Sequence, residues 1–190
     1  VISAGNSAHF IGDGYRSLLL SDNTAPAPFV RGIFYISKKV QFHYMRMRLI
    51  NPIRKPVSSS AEAYFESKGF SVNYLTYTPT KKLSLSFFEG IIWAKDNATS
   101  SNRVNPLFYC PLPFYTESVT TEQERNAILG LNISWVPSSS HRFYGQFVTG
   151  NIRVEQTAFQ LGYRGYKYIG LDMFMLQIEY NNVSKNMYQS

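Results

Sequence analysis

The chain has a single cysteine, Cys110, among its 190 residues, so an intrachain disulfide framework is excluded. A lone cysteine without an evident histidine partner reads most simply as a small buried hydrophobe. Charged residues make up only 16% of the chain, below the roughly 25% of typical soluble domains. No run approaches the ~18 apolar residues of a membrane helix, which excludes helical membrane proteins and leaves membrane-crossing strands open. Basic residues never cluster beyond Lys38-Lys39 and Lys81-Lys82, so the net charge of +7 leaves no nucleic-acid footprint. It points instead to acidic partners such as anionic lipid or an acidic polysaccharide. Helix signals are equally scarce. Ser60–Lys68, with Ser60 as an N-cap and Glu62 in the first turn, is expected to form one short helix. No internal repeat or low-complexity array is evident.

Catalytic patterns are missing too. His9, His43 and His141 are scattered, and Ser138–Ser140 precede His141 inside a turn signal. No Gly-x-Ser-x-Gly elbow occurs, and no His, Cys and carboxylate set has ligand spacing on one face. Gly12-Asp13-Gly14 is a turn and not a nucleotide loop, because no P-loop Lys-Ser/Thr follows it. The expectation is a protein with no catalytic residues, no metal and no cofactor.

Aromatic residues are abundant: 14 Tyr, 14 Phe and 2 Trp, or 16% of the chain. Most of the sequence alternates with a period of two. Leu83, Leu85, Phe87 and Ile91 oppose Ser84, Ser86 and Gly90; Ala127, Leu129, Leu131, Ile133 and Trp135 oppose Gly130, Asn132 and Ser134. Phe143 and Phe147 oppose Arg142, Tyr144 and Gln146, and Phe159, Leu161 and Tyr163 oppose Gln160, Gly162 and Arg164. Phe174, Leu176, Ile178 and Tyr180 oppose Gln177 and Glu179. A transmembrane barrel alternates this way between lipid and lumen, and so does a half-solvated antiparallel sheet. Val40–Ile50 breaks phase, and a bulge near Tyr44–Met45 would restore one apolar face, gathering Gln41, His43, Arg46 and Arg48 on the other. Asn51-Pro52, the serines Ser58–Ser60, Pro79 and Pro137 punctuate the runs, with hairpins expected at the last two. Asp96–Asn105 and Pro106–Gln123 read as a longer excursion, either an external loop or a segment folded inside. The fold expected is all-β: an antiparallel transmembrane barrel, or part of a larger one, of about eight strands and one short helix, forming a single domain over residues 1–190.

One segment is more specific. His9–Ser37, HFIGDGYRSLLLSDNTAPAPFVRGIFYIS, resembles the Gly-x-Gly…Ser-Leu-x-Leu-Ser-x-Asn-Ala-x-x-Pro element of the Wzi-like capsule-assembly barrels, in the form carried by Bacteroidetes relatives that include gliding-motility-associated outer-membrane proteins. Further along, Asn105-Pro106-Leu107-Phe108-Tyr109 resembles the family's Asn-Pro-(aliphatic)-Phe-Tyr element. Ala127–Leu131 with Tyr144-Gly145-Gln146-Phe147, and Phe159–Gly162 with Leu176–Asn181, resemble its paired strands in the same order. Family members are longer, and the final residues Asn186–Ser190 lack the terminal aromatic of a finished barrel. Val183–Tyr188 also departs from the family's basic, Pro-containing run. The chain begins at Val1 and is read as a fragment of a larger barrel or a reduced member.

The resemblance implies a non-catalytic protein in the outer membrane of a Gram-negative bacterium that binds or retains capsular polysaccharide, with lipid and other envelope proteins as further partners and no nucleic acid. It implies structural roles for Gly12, Asp13, Gly14, Arg16, Ser21, Asn105, Pro106, Gln146 and Glu179. Other readings are a structural subunit of gliding or adhesion machinery, a passive pore, and a soluble β-sandwich with a ligand groove. Arg46, Arg48, Arg142 and Arg164 oppose apolar neighbours, so in a barrel they would face inward, where guanidinium groups suit the carboxylates of uronic acids. The competing role, assigned to at least half of them, is pairing with Glu89 and Glu179 as interior struts. Tyr144, with Tyr15 and Tyr109, is a candidate for stacking on sugar rings or for an interfacial aromatic girdle.

Overall fold

A computed structural model describes residues 1–50, 67–93, 109–110, 125–150, 156–166, 174–185 and 187. Nine antiparallel strands follow one another in a single sheet: β1 (Ile2–Ser7), β2 (Ala27–Tyr35), β3 (Val40–Ile50), β4 (Ser67–Thr80), β5 (Leu83–Trp93), β6 (Arg125–Ser138), β7 (His141–Gly150), β8 (Thr157–Tyr166) and β9 (Met175–Val183). The all-β expectation holds, with one strand more than the alternation indicated. The extra strand is β1, whose ISAGNS sequence carries no apolar periodicity. The sheet is open, with β1 and β9 as its edges. Of the expected helix, residues 60–66 lie outside the described residues, and Ser67 and Lys68 open β4. No α-helix occurs among the described residues.

Pro79 and Pro137 sit in the last turns of β4 and β6, where the ladders shift register between Tyr77 and Thr80 and between Trp135 and Ser138. Proline has no N–H to give a ladder, so the pairing skips it before the tight turns at 81–82 and 139–140. The connections fall into two groups by end of the sheet. The turns after β2, β4 and β6 are short and share one end with the connection 167–174, whereas 8–26, 51–66 and 94–124 leave the opposite end together with the shorter 151–156.

Register aligns the outward side chains of β5–β9 into three apolar rows. One is Phe87–Leu131–Phe147–Phe159, the next Leu85–Ile133–Gly145–Leu161–Tyr180, and the third Leu83–Trp135–Phe143–Tyr163–Ile178. Ile133, Trp135, Leu161, Ile178 and Tyr180 are each about half or more exposed. The last row is an aromatic ladder beside the short turns: ring centroids are 5.5 Å apart for Trp135–Phe143 and 5.0 Å for Phe143–Tyr163. Two of the inward-facing rows are polar, and their members on β5–β8 are mostly buried. Thr76–Ser86–Asn132–Gln146–Gln160–Asn181 crosses six strands, with Ser134, Tyr144, Gly162 and Glu179 beside it. Toward the short turns the usual arrangement of a water-soluble sheet, apolar inside and polar outside, is inverted; one row further, Tyr74–Phe88–Gly130–Val148–Ala158 faces inward as part of the apolar core, and Glu89 is buried on the outer face.

β3 corrects the bulge expected near Tyr44–Met45. Its ladders to β2 and β4 run without a break, so side chains alternate strictly along the strand. Met45 and Met47 face inward, where they join Leu19, Leu20, Phe70 and Val72 in the core. Tyr44, Arg46 and Arg48 therefore face outward. The phase break is real in sequence because this strand is covered on both sides: by the leucines within, and by Tyr109-Cys110 without.

Candidate functional site

The connection from β1 to β2 enters the inner face of the sheet from the long-connection end. Its two arms are joined by an isolated bridge, Ile11 to Leu20, with Ile11 N–H donating to Leu20 O at 2.9 Å. Ser17 holds the turn: its hydroxyl donates to Ile11 O and accepts from Leu19 N–H at 3.1 Å. Gly12 has a φ of 142° and no room for a side chain, since a Cβ there would lie 2.2 Å from Gln146 Nε2. Glycine alone meets both conditions without strain. Leu18, Leu19 and Leu20 then pack on Met47, Phe70, Ile92 and Ile128.

The tip of this hairpin is bonded to the polar inner rows. Asp13 accepts from Asn132 Nδ2 at 2.8 Å and from Arg142 Nη1 at 3.0 Å. Arg164 Nη2 donates to Asp13 O at 3.4 Å while its Nε donates to Gln177 at 3.2 Å. Gln146 Oε1 accepts from Leu18 N–H at 2.8 Å, and Gln146 Nε2 donates to Asn132 Oδ1 at 3.1 Å. Gln160 Nε2 donates to Arg16 O at 2.7 Å. Glu179 Oε1 collects Tyr15 N–H, Tyr144 O–H and, at 2.8 Å, Gln177 Nε2. Backbone and side chain thus interlock through amides and carboxylates, which fix geometry because each buried polar group needs its partner.

Between the tip and the short-turn end lies a cavity of ≈ 420 Å³, bounded by β2–β7 and reaching the turn Lys81–Lys82. Its charged and protonatable lining groups are mostly basic: Arg31, Lys81, Lys82 and Arg142, with His9 and His43. Asp13 is the only carboxylate among its lining residues, and it is already engaged by Arg142 and Asn132. His9 packs edge-on against Phe29 at 4.2 Å. Burial, reinforced by the charge of Arg31, pulls the His9 pKa below its ordinary value. Among the described residues, no group of three or more His, Cys, Asp or Glu could hold a metal ion.

No family model, curated protein or solved structure matches the chain.

The structure brings together six residues singled out in sequence: Gly12, Asp13, Gly14, Arg16, Gln146 and Glu179 all belong to the hairpin or its bonding partners. Ser21 lies just beyond, capping a turn by accepting from Asn23 N–H at 3.3 Å. Asn105 and Pro106 lie outside the described residues, as does most of the 96–123 excursion. The four arginines divide. Arg142 and Arg164 face inward and bond the hairpin. Arg46, expected on that side, is on the outer face because β3 has no bulge. It is buried there, donates to Cys110 O at 2.6 Å and Val72 O at 3.1 Å, and stacks over Tyr44 at 3.9 Å. Arg48 shares that outward parity and is exposed. Glu89 is buried on the same face as Arg46 and accepts from Asn73 at 2.7 Å. Tyr144 is buried, its ring against Gly162 and its hydroxyl on Glu179.

Arg31, Lys81, Lys82, His9 and His43 were the cavity residues that sequence reasoning passed over. Lys81-Lys82 was visible as a basic pair, but only the sheet register shows that Arg31 and Arg142 converge on the same space.

Proposed function

We propose that this chain is part of the wall of an outer-membrane β-barrel of the Wzi-like capsule-assembly type it resembles, and that it retains acidic surface polysaccharide without catalysing a reaction. The observation that carries this reading is the inverted sheet: three outward apolar rows over β5–β9 against inward rows of Asn, Gln, Ser and Glu. Monomeric soluble proteins rarely leave contiguous apolar patches larger than a few hundred Å² in water, whereas lipid stabilises such a face and requires it. The Trp135–Phe143–Tyr163 ladder at one end suits the aromatic girdle of a membrane interface. The three tightest turns share one end and the three longest connections the other, an asymmetry that suits an outer-membrane barrel. Backbone edges cannot face hydrocarbon, so β1 and β9 require further strands from the rest of a parent chain or from a partner.

Retention, rather than open passage, is favoured because residues 8–26 occupy the inner face. The basic cavity lining and the net charge of +7 favour an acidic glycan. Refolding into detergent micelles and liposomes tests the reading, with circular dichroism and heat-modified gel mobility beside a buffer control. A β spectrum and a mobility shift that depend on detergent or lipid are expected. A monodisperse β protein in plain buffer would overturn the membrane assignment and the capsule assignment with it.

A further inference from the structure

We infer that the cavity between the hairpin tip and the turn Lys81–Lys82 binds the oxyanion-bearing ring of an acidic sugar. The inference rests on the polysaccharide reading above and gives it a site. Its ≈ 420 Å³ falls within the range of small-ligand pockets, about 300–1,000 Å³. Arg31, Lys81 and Lys82 line it and have no ion-pair partner among the described residues. Arg142 completes the basic rim, and the one carboxylate, Asp13, is already held by protein donors. Alongside the cations stand the hydroxyls of Thr76, Thr78, Ser84, Ser86 and Ser134, which suit a polyhydroxylated ring. Phe10 and Tyr74 add aromatic surface. A bare anion would meet the cations alone and a neutral sugar the hydroxyls and rings alone, whereas an acidic sugar meets both.

The site lies at the short-turn end of the sheet, the periplasmic end of an outer-membrane barrel, so it would hold the glycan from the periplasmic side of the hairpin and is not a loop-borne surface site. It also differs from the arginine set that sequence alone favoured, since Arg46, Arg48 and Arg164 do not line it.

Calorimetric titration with trigalacturonate tests this, with maltotriose and inorganic phosphate as comparison probes. The titration is run in whichever medium, detergent or buffer, yields monomeric β protein, so binding at the cavity is measured independently of membrane insertion. Trigalacturonate is expected to bind, more weakly as salt rises, and well ahead of both other probes. Lys81→Ala with Lys82→Ala, in an exposed turn, should weaken it by about tenfold. Lys38→Ala with Lys39→Ala removes the same charge at the same end but outside the cavity, and should change affinity by less than about twofold. Asp13→Asn should strengthen binding by removing the only lining carboxylate. Equal losses in the two lysine pairs would reduce the effect to net charge and overturn the site. Phosphate binding as tightly as trigalacturonate would overturn the sugar, and absence of binding by a protein shown to be folded would overturn the proposal outright.

Discussion

Ile133→Lys probes the inverted sheet where it is most exacting. Ile133 lies in the middle of the three outward rows, flanked by Leu85 and Gly145, and is 49% exposed. In water a lysine there would sit at the surface and lose only a cross-strand contact, about 0.2–1 kcal/mol. In a bilayer the same ammonium lies inside the apolar belt, one row in from the aromatic ladder, and costs up to about 2–4 kcal/mol. Thr149→Lys is the internal comparison: Thr149 pairs with Leu129 and Thr157 one row beyond the apolar belt, toward the long connections. Near an interface a lysine costs only about 0–1 kcal/mol. Urea unfolding of liposome-folded protein, followed by tryptophan fluorescence, should therefore lower the midpoint for Ile133→Lys by about 1–2 M, taking a slope near 2 kcal/mol/M. Thr149→Lys should move it much less. Equal small shifts in both variants would refute the lipid-facing assignment, because no depth dependence would remain.

Two further perturbations address the interior. Gly12→Ala forces an unfavourable φ and a 2.2 Å approach to Gln146; it should cost about 1–3 kcal/mol and expose residues 8–26 to limited proteolysis while the sheet persists, and unchanged protection would show that the turn does not depend on glycine. His9 has a folded-state pKa below its ordinary 6.5, so the unfolded state binds the proton more readily. Stability should hold above that pH and decline as the pH falls from there through the folded-state value. His9→Phe keeps the ring on Phe29 and should flatten that part of the profile, and parallel wild-type and variant profiles between pH 7.5 and 5 would refute the assignment.

Much of β5–β9 was legible from sequence, because side chains alternate with period two and, toward the short turns, each of those strands has one covered face; on β5, toward the long connections, Glu89, Ile91 and Trp93 lie buried on the other. The alternation of Leu131, Ile133 and Trp135 against Gly130, Asn132 and Ser134 survives unchanged in the burial of β6. β3 was misread for a physical reason: with Met45 and Met47 under the leucines and Arg46 under Tyr109-Cys110, both its faces are covered, and no single apolar face exists for a bulge to restore. β1 escaped notice because Ile2–Ser7 pairs through its backbone and carries no pattern. The Gly12-Asp13-Gly14 turn announced itself by composition, yet nothing local says that its partners are Asn132, Arg142 and, through the flanking Tyr15, Glu179.

The sequence by itself determined most of the strands, the pairing of neighbours joined by short turns, and the segregation of aromatics from amides. Those follow from backbone geometry and local turn chemistry, which need no knowledge of distant residues. Tertiary structure alone decided which face is inside, because alternation is symmetric until something fills one side. Here residues 8–26 fill it: Leu18–Leu20 pack on the inward Phe70 and Phe88, the hairpin tip bonds Asn132, Gln146, Gln160 and Glu179, and Leu131, Ile133, Trp135 and Phe147 are left outside. Tertiary structure also assembled the basic cavity, since Arg31, Lys81 and Arg142 come from strands and turns whose approach is set only when the sheet curves around that hairpin.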